Sequence, residues 1–202
     1  MANEYATAVE LKSTLELSGE SFADADVTLA LTAASRALDN LCERRFYKDA
    51  DATQVRYYSP QAAVSLRIDD LVTFTALASD DDGDGTFETT WVLNTDFVLE
   101  PLNATADNWP WTTIRVRSSG SRWLPDDERS VRLTGQFGWV AVPEAIKEAT
   151  LVLASRLLRR AREAPFGVIA AGLDAAAAIH IARFDPDVKL LTGSYMRDLV
   201  IA

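Results

Sequence analysis

Apolar residues recur at helical spacing towards both ends of this chain and at every second position between them. Thr7-Ala-Val-Glu10 has the spacing of a capping box, in which a hydroxyl and a carboxylate each satisfy an orphan backbone N–H. It predicts a short helix running to about Leu17 and ending near Ser18-Gly19. Ser21-Phe-Ala-Asp24 repeats the pattern before a longer helix that reaches about Arg45. Along it Val27, Leu31, Ala34, Leu38 and Leu41 form one stripe, and the thin residues Ala33, Ser35 and Ala37 beside them permit close helix approach. A third helix opens at Pro143, where a missing N–H costs nothing, and runs to the arginines near 160. Ile146, Ala149, Leu153 and Leu157 line one face of it; Leu151, Ala154 and Leu158 line another. Burial is therefore expected on two sides, one against the N-terminal helices and one against a neighbouring subunit.

From about residue 51 to 140 the period changes to two. Ile114 and Val116 alternate with Arg115 and Arg117, Val131 and Leu133 with Arg132 and Thr134, and Val72 and Phe74 with their neighbours in 71–78. Six or so short strands separated by Asp, Gly, Pro and Asn clusters predict an antiparallel sheet or small barrel. The fold class is α+β. Residues 1–50 and 141–164 read as one helical body, 51–140 as a β insertion and 165–202 as an extended C-terminal arm. Within that arm Asp185-Pro-Asp-Val188 opens a last short helix carrying Leu190 and Leu191, while the Gly/Ala-rich stretch before it is compatible with helix or extended chain.

A chain of 202 residues, 48% hydrophobic and 25% charged, holds enough apolar surface for one sizeable core or two small ones. No run is long and apolar enough to span a bilayer, and Met-Ala-Asn-Glu-Tyr lacks a basic leader, so neither a membrane protein nor a signal-peptide substrate is expected. Cys42 is the single cysteine and falls on the apolar side of a predicted helix, which reads as a buried, inert thiol; His180 stands alone. The formal charge of −10 is unevenly placed: 140–202 hold eight Lys/Arg against seven Asp/Glu, so the acidity lies in the first 139 residues. That balance disfavours static nucleic-acid binding, which depends on neutralising phosphates, but suits a surface past which DNA slides. The cations Arg44, Arg45 and Lys48 sit where they complement a helix C-terminus.

One motif points to a metal. In Asp80-Asp-Asp-Gly-Asp-Gly-Thr-Phe-Glu88, carboxylates fall at positions one, three, five and nine of a calcium-loop pattern, with glycine at six. Asp80, Asp82, Asp84 and Glu88 would be the Ca²⁺ ligands. Position twelve, which should be acidic, is Trp91, and the flanks read as strands, so the loop reads as a plain solvated hairpin tip ahead of a calcium site. Trp109-Pro-Trp111 offers paired rings to a sugar or, more commonly, caps a sheet end or a subunit seam. No nucleophile elbow, phosphate loop or zinc-protease signature is present, so no catalysis and no catalytic cofactor are expected.

Two blocks resemble the head–tail connector (adaptor) proteins of long-tailed bacteriophages. The first is Leu11-Lys12 followed by the helix through Leu31, Ala33-Ala34-Ser35, Leu38 and Arg44-Arg45-Phe46. The second is Gly135-Gln-Phe-Gly-Trp-Val-Ala-Val-Pro143 and the helix behind it, followed by Arg160, Pro165, Gly167, Asp185-Pro-Asp-Val188, Leu190-Leu191 and Tyr195-Met-Arg197. The resemblance implies a structural virion protein, assembled in the host bacterial cytoplasm into a ring, commonly dodecameric, under the portal. Such a ring extends the DNA channel, lets the genome pass without specific binding, and docks the head-closure or tail-completion protein. It implies ring packing through Leu151, Leu158, Arg156 and Arg159, and portal docking through Tyr195, Met196, Arg197 and Leu199. A head-closure protein, or a carbohydrate- or calcium-binding β module on a helical stalk, are the competing readings.

Overall fold

The computed structural model of the chain describes residues 3–16, 21–118, 122–163 and 186–197. It is an α+β fold of two compact units: Met1–Phe46 with Val142–Ala202, and Tyr47–Ala141.

The first unit is helical. Helix α1 (Ala8–Glu16) begins at the capping box: the Glu10 N–H donates to Thr7 Oγ1 at 3.2 Å and the Thr7 N–H to Glu10 Oε2 at 2.8 Å. Helix α2 (Asp24–Cys42) starts differently from expectation. Ser21 does not cap it; Ala23 holds the N-cap position without a side-chain bond, and Phe22 packs against the helical core instead. The helix also stops three residues before Arg45, because Glu43 turns left-handed at φ 53° and its N–H bonds back to Asp39 O. Helix α3 (Glu144–Glu163) follows Pro143 as predicted, with the Lys147 N–H on the Pro143 carbonyl at 3.0 Å. Leu11, Leu15, Val27 and Leu31 meet Leu151 and Leu158 in one core, where Ala30, Ala34 and Ala154 let the helices approach closely.

The expectation for Leu151 and Leu158 is thereby corrected. They are only 8% and 4% exposed and lie in the protomer's own core, so they are not a subunit-facing stripe. Leu153 and Leu157 are the half-buried pair.

Helix α4 (Pro186–Thr192) and the 3₁₀ turn Gly193–Tyr195 end the described chain. The short helix expected within the C-terminal arm is therefore present, while 164–185 and 198–202 of that arm lie outside the described residues. Helix α4 packs on α3, Tyr195 sets its ring edge-on to Phe46 at 5.9 Å, and the Arg197 N–H bonds Cys42 O at 3.0 Å. Such contacts hide part of the apolar segment from water.

The second unit is an antiparallel sheet of β1 (Gln54–Tyr58), β2 (Ser65–Ser79), β3 (Thr89–Trp91), β4 (Phe97–Glu100), β5 (Trp111–Val116) and β6 (Val131–Phe137). Strand order is β1-β6-β2-β5-β4, with β3 on the far end of β2. The sheet is open, not a closed barrel, among the described residues. The alternation in β5 and β6 holds: Ile114, Val116, Val131 and Leu133 are buried. In β2 it does not. Register shifts between Leu71 and Thr73 and between Phe74 and Ala76 change the phase, so Leu71 and Leu77 are fully buried and Val72 is not.

Candidate functional site

The acidic segment 80–88 closes the β2–β3 connection. Asp80 organises it: Oδ1 accepts the Gly83 N–H and Oδ2 the Gly85 N–H, both at 2.8 Å, while the Asp80 N–H bonds Ser130 O at 2.9 Å. Gly83 and Gly85 have φ of 77° and 89°, a backbone that side chains other than glycine rarely accept. Burial opposes ionisation of Asp80, but the amides of Gly85, Gly83, Asp84 and Asp82 together outweigh it and hold the carboxyl below its ordinary range. Asp84 takes the Thr86 N–H at 2.7 Å. Asp81 points elsewhere, receiving Ser79 Oγ and Thr89 Oγ1 at 2.6 Å each.

Asp80, Asp82, Asp84 and Glu88 bring ligand oxygens within 4.8 Å of one another. Position twelve fits the pattern no better in three dimensions than in sequence. Trp91 is 3% exposed in the sheet core, and its indole N–H donates to Ser79 Oγ at 2.9 Å. The loop thus supplies four carboxylates on one side and leaves the place of the bidentate acid to a core side chain.

The tryptophan pair does not form a grip. Trp109 leans on Trp139 (centroids 5.0 Å, 57° between planes), and Trp111 packs against the sheet core. Trp139, 2% exposed, is the residue that matters there: its indole N–H donates to Asp70 Oδ2 at 3.0 Å, and the Gly138 N–H donates to Asp70 O at 2.7 Å. The sequence motif Gly135-Gln-Phe-Gly-Trp139 is therefore a structural lock on the sheet. An aromatic directly after a strand-ending glycine was its signal.

Cys42 is fully buried, and desolvation pushes its thiol up to about 11, so it is inert as expected. Of the residues expected at subunit contacts, Arg156 and Arg159 are half-buried on α3. Tyr195 sets its ring edge-on to Phe46 and the Arg197 main-chain N–H bonds Cys42 O, with both residues half-buried; Met196 is 38% exposed. Leu199 lies outside the described residues. Leu190, on the last short helix, is 83% exposed, which its helical spacing does not reveal.

No protein-family model matches the chain, and no curated protein is similar to it in sequence. Solved structures are similar to it. One is a chain in the neck of an empty gene transfer agent particle computed with C6 symmetry: TM-score 0.55, 18% identity, covering 100% of this chain and 98% of the other. The shared property is the fold. Another is a chain in the virion of a native gene transfer agent particle, at TM-score 0.49 and 21% identity, covering 98% of this chain and 92% of that one.

Proposed function

We propose that the chain is a structural, non-enzymatic component of a phage-type virion neck, acting as a head–tail adaptor. The observation that carries this reading is the fold match with a neck chain, which covers 100% of this chain and 98% of the other. Fold likeness is an argument by analogy. The adaptor-like order of motifs along the chain supports the same reading. In this reading copies form a ring under the portal, and the acidity of the first 139 residues suits a channel that does not retain the genome. Twelve subunits is the number the resemblance implies; the neck of the similar particle was computed with C6 symmetry. Half-buried Arg156 and Arg159 remain the ring contacts proposed from the resemblance, now without the two core leucines. Portal docking is placed on Tyr195, Met196, Arg197 and Leu199 as the resemblance implies, to which Leu190 is added because Leu190 and Met196 are exposed apolar residues among the described residues of the C-terminal segment.

Electron microscopy of the purified chain, alone and with the portal protein of its own particle, tests this. Rings that stack on portal are expected. A Leu190→Asp, Met196→Asp variant should keep the fold and lose co-migration with portal. A chain that stays monomeric at every concentration and ignores portal removes the assignment. The head-closure alternative predicts the same rings bound only beneath an adaptor.

A calcium-binding hairpin is the second reading, favoured by the four converging carboxylates. Calorimetry with CaCl₂ should show heat that Asp80→Asn abolishes. Absence of heat at millimolar Ca²⁺ leaves a plain hairpin tip.

A further inference from the structure

Strand β1 lies at an edge of the sheet, pairing with β6 on one side only among the described residues. Its backbone therefore offers a row of groups that another strand can take up. On its outer face Val55 and Tyr57 are 47% and 42% exposed, and Arg132 of β6 stands directly across from Tyr57. The Arg129 guanidinium lies 4.1 Å from the Tyr57 ring centroid, the Arg132 guanidinium 4.8 Å from that of Phe87, and the two rings are 5.6 Å apart.

Neither guanidinium meets a carboxylate among the described residues, whereas Arg56 and Arg115 both form ion pairs. In a chain with 30 acids against 20 Lys/Arg, two such cations set over neighbouring aromatic rings are conspicuous. Stacking fixes the plane of a guanidinium while its in-plane N–H groups stay available, the arrangement that binds carboxylates bidentately.

We propose that β1 accepts an added strand: an extended, carboxylate-bearing segment of a partner protein. Its backbone pairs along 54–58, its apolar side chains cover Val55 and Tyr57, and its acids reach Arg129 at the edge and Arg132 one strand further in. The inference does not depend on the neck reading. Charges at a sheet edge also serve to prevent pairing, and that role predicts the opposite result.

The test uses the full chain and a labelled Val-Glu repeat peptide of about ten residues, a length that spans an ordinary strand. Fluorescence anisotropy should show binding that weakens with salt, and hydrogen exchange should show slowed amides at 54–58. Arg129→Gln with Arg132→Gln should weaken binding about tenfold or more; the double Lys variant, which keeps charge but not the planar fork, should fall between. Near-UV circular dichroism matching the parent establishes that these variants are folded. The proposal is overturned by no protection at 54–58, by equal binding of a Val-Lys repeat, or by variants that bind as the parent does. Tighter binding of an oligothymidylate of equal charge would overturn it in favour of nucleic acid.

Discussion

Gly135 and Gly138 stand three residues apart and are fixed by different physics. At Gly135 the backbone is ordinary, but an added Cβ would lie 2.3 Å from Thr73 O, next to the register shift in β2. Gly138 has φ of 108°, and a Cβ there would lie 1.9 Å from Tyr47 O. Gly138→Ala therefore combines a forbidden backbone with a clash against main chain, and should cost about 3 kcal/mol or more in urea unfolding. Gly85→Ala is the control: φ is 89° but nothing lies within 4 Å, so roughly 1 kcal/mol is expected. Equal losses at the two sites would show that strain alone, without the close approach, explains Gly138. The glycines are visible in the sequence as strand punctuation. The carbonyls that exclude a side chain are not, because Thr73 and Tyr47 are remote along the chain.

Among elements, α1 and α3 are tied by a pair that no local pattern predicts. Lys147 of α3 donates to Glu10, the same carboxylate that closes the capping box of α1. The Lys147 hydrogen bond, then the Thr7 N–H and hydroxyl, lower the Glu10 pKa to about 2. A carboxyl lowered in the folded state binds fewer protons there than when unfolded, so it adds stability above its ordinary value near 4.5 and loses it as pH falls towards 2. The melting-temperature difference between the parent and Glu10→Gln should be full at neutral pH and shrink through that window; a constant difference would contradict the tie. The capping box itself was legible, since its two residues are three apart. Its twin at Ser21 was equally legible and did not form, because Phe22 is drawn into the helical core and Ala23 takes the cap position.

At the scale of the whole chain, each unit owns its core. The sheet cluster of Leu71, Leu77, Phe97, Ile114, Leu133 and their neighbours lies wholly inside Tyr47–Ala141, whereas the helical cluster needs residues from both ends of the chain. An isolated 47–141 fragment should therefore unfold cooperatively with a β-type circular dichroism spectrum, and an isolated 1–46 fragment should show little helix. Similar behaviour of the two fragments would contradict separate cores. Periodicity alone determined the α+β class, the place of each helix and the alternation of β5 and β6, because those depend on spacing within one element. It could not determine which side of α3 stays dry: Leu151 and Leu158 repeat as a surface stripe would, and only the arrival of α1 and α2 made them core. The phase of β2, the fold-back of Tyr195 onto Phe46 and the exposure of Leu190 were likewise decided by tertiary contacts, since burial belongs to a pair of surfaces and a sequence displays only one at a time.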